Sequence, residues 1–412
     1  MRNSALQALP AFPEEPAADW MRRGFAERSI SAQETLRNVW PHLPAFGITR
    51  VGRQTGLDRL GIHSWTAVRP NAKALSVAQG KGTTDASACV SAVMEAVEIA
   101  VAEGLSEARL AVSKSSSRDF QNGTHLYDAS RLLPPGQQLD PDRPIRWLRG
   151  EDLHTGRRIL LPQDAVDLDA ERSDIPGICK HSSGLASGND RDEATFHAIC
   201  ELIERDGTSL WSLLGQEQKL GTCFSASSLG DAEVSWLYQV ITDSGYRLSL
   251  FDQTSNLGVP VVMAVLGPAD QVSVGETEIT SGYGCHPVGA IAALRAITEA
   301  AQGRVTAIAS TRDDIDQSSF GRRAPTAHLE LLRATPCRRA PRDTKIGLTG
   351  MLGAVKTALG INGCVASMIS LAPASLPFSV VRVLCFDLED RSANVNWRPG
   401  RRAFEYVEQN LR

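Results

Sequence analysis

The chain has 412 residues, 42% of them hydrophobic and 22% charged, and a formal net charge of −4. That describes an ordinary globular protein with enough chain for one large domain or two average ones. The acid balance excludes a nucleic-acid binder working by bulk positive charge, and no apolar run reaches the roughly 18 residues that span a bilayer.

Residues 1–30 hold Pro10, Pro13 and Pro16 and read as a flexible tail with one short helix, without the apolar core of a signal peptide. Ser31 and Glu34 form a capping box that opens a helix to about Leu43. Residues 47–69 read as turn and strand, and 74–78 as a strand feeding the glycine turn Gln79-Gly-Lys81-Gly82. A lysine in such a turn suits phosphate, although the P-loop spacing is absent. The helix that follows carries Ser91, Glu95 and Glu98. At about 100° per residue these three fall within about 60° of one another. The rest of that helix is small or apolar: Ala88, Ala92, Ala96, Val93, Met94, Val97 and Val101.

Residues 113–174 are polar and proline-bearing, a connecting and edge region with strand candidates at 145–148 and 159–161. A loop at 184–189, holding Ser187 and Asn189, precedes a second helix that Asn189 or Asp190 caps. On it Glu193, Glu201 and Glu204 share one side, and Arg205 is an i,i+4 partner for Glu201. His197 reads as a packed or capping residue. Residues 246–266 read as two strands joined by a loop at 253–257. A turn with Gly282 and Gly284 then leads to a third helix with Arg295, Glu299 and Gln302 on one stripe, followed by Arg312-Asp313-Asp314. Residues 322–345 are basic and peripheral. A helix at 349–358, a last strand at 379–386 and a terminal helix complete the reading.

One template runs through these segments. Gly82, Ala88, Ser91, Glu95 and Glu98 recur after 106 residues as Gly188, Ala194, His197, Glu201 and Glu204. After 204 residues they recur as His286, Ala292, Arg295, Glu299 and Gln302. A thin solvated face would account for one such helix, but three carboxylate stripes behind glycine turns ask for more. Converging carboxylates make a hard-cation site, and glycine turns at helix N-termini suit phosphate. The expectation is an α/β (mixed α+β) domain over residues 31–412, in which the three helices pack on sheet and meet around Mg2+ and a nucleotide. The eight cysteines are scattered with no Cys-x-x-Cys pair, so they form neither a disulfide framework nor a thiolate zinc site, which fits a reducing cytoplasm.

These segments resemble the YcaO family of ATP-dependent peptide-backbone-modifying enzymes, from about residue 48 to residue 388. The match rests on Thr55-Gly-Leu-Asp58, Gln79-Gly-Lys-Gly82, Ser91-x-x-x-Glu95-x-x-Glu98 and Gly184-Leu-Ala-Ser-Gly-Asn189-x-x-x-Glu193. It continues through Glu201-Leu-Ile-Glu-Arg205 and Thr298-Glu-Ala-Ala-Gln302 with Arg312. The resemblance implies ATP with Mg2+ held by Glu95, Glu98, Glu201 and Glu204. It implies nucleotide or metal contacts from Ser91, Asn189, Glu193, Arg205 and Gln302. Lys81, Glu299 and Arg312 are further cofactor-binding candidates from the residue pattern, a basic residue meeting phosphate while Glu299 and Gln302 orient it. Ala186 stands where some relatives carry serine, so that contact falls to Ser187.

The resemblance also implies a chemistry. A nucleophile adds to the amide carbonyl, the oxygen takes the γ-phosphoryl group, and phosphate departs. External sulfide gives a thioamide; a neighbouring Cys, Ser or Thr gives an azoline ring. Azoline formers typically end in a proline-rich tail and use a peptide-recruiting partner or fused domain, whereas here the last proline is Pro399. The sequence looks more like members that act with a TfuA protein in thioamidation of a peptide or protein substrate, and it leaves a homodimer open. The alternatives are an azoline-forming cyclodehydratase and, from another class, a non-catalytic nucleotide-binding regulator.

Overall fold

A computed structural model describes residues 8–12, 28–104, 111–120, 123–270, 274–312, 317–347 and 350–410. Most of the expected tail, and Asp313 with Asp314, lie outside the described residues. The chain divides into two compact units, one of residues 1–70, 75–96 and 211–345, the other of residues 71–74, 97–210 and 346–412.

In the first unit, strands Arg50–Arg53, His63–Val68 and Val77–Gly82 form an antiparallel sheet in that order. Register pairs Arg50 with Val68 and His63 with Gly82. A second antiparallel sheet runs in the order Thr280–Cys285, Val261–Pro268, Tyr246–Asp252, Cys223–Phe224. Strand side chains alternate between faces, and here both faces are covered. Val262, Ala264 and Leu266 join the core of helix Ala232–Asp243 (Val234, Leu237, Ile241) and helix Gly289–Ala309. Met263 and Val265 face the opposite way, against Trp211, Leu331 and Leu332. This double burial is why 261–266 is an unbroken apolar run in place of an alternating one.

The second unit is built on a mixed sheet ordered His125–Leu126, Arg158–Pro162, Ile145–Asp152, Ala366–Ser370, Ser379–Cys385, Leu185–Gly188, with Ala111–Ser115 also paired to Ile145–Asp152. Leu133, Ile145, Trp147 and Ile175 form a core cluster. Helix Arg191–Ser212 follows the last of these strands. The C-terminal segment is tied back to that helix. Arg402 donates to both oxygens of Asp206 at 2.8 and 2.6 Å, and both side chains are buried. Glu389, also buried, takes Arg131 at 2.5 Å, Trp397 Nε1 at 2.9 Å and Gly400 N–H at 3.0 Å. No described helix is long and apolar enough to cross a membrane.

The repeat is physical. Helices begin at Asp85, Arg191 and Gly289, the same offsets of 106 and 204 residues that the side-chain template carries. One expectation needs correcting: the glycines before these helices lie in strands Val77–Gly82, Leu185–Gly188 and Thr280–Cys285, not in turns or a loop. The reason is close packing. A Cβ on Gly80 would stand 2.1 Å from Ala88 O and Ala92 N, and one on Gly188 2.4 Å from Ala194 N. One on Gly282 would stand 2.2 Å from Ala296 O, and one on Gly284 2.1 Å from Ala292 O. Each strand glycine admits the backbone of the helix that follows it. Lys81 is accordingly a strand residue, and Asp190 caps the second helix by accepting from Glu193 N–H at 2.8 Å. Ser31 caps the first helix, accepting from Glu34 N–H at 3.2 Å without the reciprocal bond of a full capping box; the α-helix ends at Val39 and a 3-10 turn continues to Phe46.

This packing predicts that Gly282→Ala lowers unfolding stability by about 1–3 kcal/mol or more. Gly52→Ala, whose nearest atom would be Thr66 Cγ2 at 3.7 Å, should stay within about 0.5 kcal/mol. Urea midpoints check it, and equal midpoints for the two variants would refute the close approach.

Candidate functional site

The three polar stripes are half-buried rows between buried neighbours. Ser91, Glu95 and Glu98 lie half-open beside buried Ala92, Val93, Met94, Ala96 and Val97. Glu201, Glu204 and Arg205 do the same beside Leu202 and Ile203, and Arg295, Glu299 and Gln302 beside Ala296, Ile297 and Ala300. The helix Asp85–Glu103 passes from the first unit to the second at Ala96, so Glu95 belongs to one and Glu98 to the other.

In the first unit Glu95, Glu299, Lys81 and Arg312 form one cluster. Lys81 Nζ donates to Glu299 Oε2 at 2.6 Å. Glu95 accepts from Gln79 N–H at 3.2 Å, and its other oxygen is 3.9 Å from Arg312 Nη1. Ser91 lies one turn before Glu95, and Gln302 one turn after Glu299. Burial pushes the Glu95 carboxyl upward from its ordinary range, with Arg312 and Lys81 pulling it back. The side chain is surrounded by protein yet keeps 35% of its surface open. It therefore stands in a crevice, reachable by a ligand and poorly hydrated.

In the second unit Glu98 accepts from both the N–H and the hydroxyl of Ser187, at 2.7 and 2.5 Å. Ser187 is thus the group that orients Glu98. Asn189 Nδ2 donates to Glu193 at 3.1 and 3.2 Å. Glu201 accepts from Gly184 N–H at 3.0 Å, while Arg205 reaches Glu201 at 3.4 Å and Glu204 at 3.8 Å. Burial raises the Glu201 carboxyl, opposed by Arg205, Gly184 N–H and Arg382. Arg382 is a residue that sequence reading passed over. It sits in the middle of strand Ser379–Cys385, 1% exposed, and donates to His181 O at 2.6 Å. Its Nε and Nη1 have no hydrogen-bond partner among the described residues. Burial takes its pKa down to about 10, with Glu201, Tyr127 and Asp390 opposing that shift. The signal was available, since a charge inside an apolar strand run is uncommon.

Do these residues fit a magnesium-bound nucleotide? Glu95 and Glu201 are acids whose ionised form the fold itself disfavours, in crevices that remain open. A divalent cation would relieve that cost. Among the described residues no three His, Cys, Asp or Glu side chains are already drawn together as a metal cage. Mg2+ suits such an arrangement, because it commonly takes one or two carboxylates and completes its shell with phosphates and water.

Comparison with known proteins agrees. The family model "YcaO cyclodehydratase, ATP- and Mg2+-binding" matches residues 79–389. An uncharacterized protein in the tfuA 3′ region of Rhizobium leguminosarum bv. trifolii is 36% identical over 378 residues, 89% of each chain. An uncharacterized protein of Methanothermobacter thermautotrophicus is 33% identical over 301 residues, 72% of this chain and 76% of that one. Among solved structures, YcaO from Methanopyrus kandleri bound with AMPPCP and Mg2+ superposes with a TM-score of 0.67 at 24% identity, covering 90% of this chain and 96% of that one. A heterocyclase in complex with substrate and cofactor gives 0.72 at 20% identity; the alignment covers 90% of this chain and 55% of that longer one. These structural likenesses establish the shared fold.

The raised Glu201 carboxyl carries a sign. The native state holds that proton more tightly than the unfolded chain does, so stability falls as pH rises from the ordinary carboxylate range through the raised value. Glu201→Gln should flatten that slope and stabilise the ligand-free protein by about 0.5–2 kcal/mol at neutral pH, the usual exchange of stability for function. Denaturant melts at pH 5 and pH 7.5 measure it; a variant less stable than the parent at both would contradict the assignment.

Proposed function

Because this chain belongs to the YcaO family, whose matched domain binds ATP and Mg2+, we propose that it uses ATP to activate a backbone amide. Sulfur then replaces the amide oxygen, giving a thioamide in a ribosomally made peptide or protein, with a TfuA-type protein as partner. The observation that carries the choice of product is the 36% identical relative whose name places it in a tfuA 3′ region. Residues 31–412 act as one catalytic domain in this reading.

In this reading the contacts support the following roles. Glu95, Glu98, Glu201 and Glu204 are the metal carboxylates. When bound, Mg2+–ATP supplies a phosphoryl group for the amide oxygen and a cation to offset the charge that develops there. Ser187 holds Glu98, and Arg205 holds Glu201 and Glu204 at a fixed spacing. Lys81 and Arg312 bring positive charge beside Glu299 and Glu95. Ser91, Asn189, Glu193, Glu299 and Gln302 complete the polar lining toward nucleotide. No residue of the chain is asked to form a covalent intermediate.

The test is the purified protein with Mg2+–ATP, sodium hydrosulfide and a cysteine-containing peptide, with and without a TfuA-type protein, read by intact mass. Exchange of oxygen for sulfur raises the peptide mass. Loss of one water would instead mark azoline formation, the alternative suggested by the heterocyclase fold relative. Nucleotide binding with no turnover would mark a regulator. Glu204→Gln should lower turnover at least about a hundredfold, consistent with several kcal/mol of charge stabilisation, with the circular dichroism spectrum unchanged; near-parental turnover would remove Glu204 from the metal set.

A further inference from the structure

Within the second unit a small, partly open pocket lies beside Arg205. Its apolar wall is Leu202, Leu384 and Leu388, and its polar wall includes His181, Arg205 and Asp390. Arg205 is the same side chain that reaches Glu201 and Glu204, so the pocket shares a wall with the acidic pair. The His181 side chain is only 11% exposed, and its carbonyl is held by the buried Arg382.

The ring's orientation is set by one contact. Ser183 N–H donates to His181 Nδ1 at 3.3 Å. A nitrogen that accepts cannot carry the proton, so the neutral ring holds it on Nε2. Asp390 Oδ2 stands 3.7 Å from Nδ1, beyond hydrogen-bond reach. Burial, with Arg382 alongside, takes the ring's pKa down to about 4, so the imidazole stays uncharged at neutral pH. Nε2 has no partner among the described residues and is left for whatever enters the pocket.

We propose that this pocket receives the amide to be modified and that His181 is a catalytic residue, its Nε2–H donating to the carbonyl oxygen. The proposal rests on the amide-activation reading above. As a hydrosulfide or thiolate adds, its sulfur–carbon bond forms and the carbonyl π pair moves onto oxygen. A donor fixed on that oxygen stabilises the charge as it appears. A neutral imidazole serves here because it donates without surrendering its proton, leaving the oxygen nucleophilic for the phosphoryl transfer that follows. The leucine wall lowers the local dielectric and strengthens the bond.

The experiment compares His181→Phe, which removes the donor, with His181→Gln, which keeps one. The probes are acetyl-Gly-Cys-Gly-amide, sodium hydrosulfide and Mg2+–ATP, with the TfuA-type partner present. His181→Phe should lose about 10²–10³ in kcat, the usual cost of one oxyanion donor. The Kd for Mg2+–AMPPNP by calorimetry should be unchanged, and His181→Gln should recover part of the loss. A Phe variant within about threefold of parental kcat overturns the proposal while leaving the thioamide reading standing; a parent protein that never alters the peptide overturns both. If the Phe variant does not fold, nitrogen-15 NMR of the histidine-labelled parent decides: an unprotonated Nδ1 at neutral pH supports the donor role, and a protonated Nδ1 overturns it.

Discussion

The close approach of a helix backbone to a glycine in the strand before it governs the rest of this molecule. In each copy of the repeat a strand enters, the chain turns, and the helix lies so near that a methyl group has no room. Alanines line the facing side of the helix for the same reason. That closeness fixes rotation about the helix axis, and rotation decides where a stripe of carboxylates points. A helix held at ordinary distance by large side chains could roll by a residue or so at small cost. One seated on glycine cannot, so Glu95, Glu201 and Glu299 are presented with an angular precision that sequence spacing alone would not secure.

Electrostatics then sets the terms on which those carboxylates exist. Glu95 and Glu201 are disfavoured by burial and only partly compensated: Glu95 by Arg312, Lys81 and one N–H, Glu201 by Arg205, one N–H and Arg382. A fully satisfied cluster such as Asp206 with Arg402 has no need of a ligand. The contrast separates two acids two positions apart on one helix, half-buried Glu204 and buried Asp206. The first faces an arginine at 3.8 Å and keeps an open side; the second is closed by two short bonds.

Much of this is legible in the sequence. The 3.6-residue spacing of acids among alanines located all three helices, and the offsets between templates proved to be the offsets between helix starts. The glycines were misread because a glycine in a sequence signals either a turn or a close approach, and only the partner backbone distinguishes them. The Ser187 hydroxyl also serves Glu98, a pairing between residues 89 positions apart that no local pattern encodes. His181 and Arg382 were invisible for a similar reason. Their roles come from strand register, where Leu185 pairs with Arg382, and from burial that only the folded sheet creates.

The lock between Arg402 and Asp206 has a bearing on synthesis. Asp206 emerges from the ribosome almost two hundred residues before the guanidinium that neutralises it. A buried acid lacking its partner costs several kcal/mol, so burial of Asp206 against the sheet is favoured only once Arg402 is in place. A chain that lacked Arg402 would leave Asp206 an uncompensated acid in a buried position.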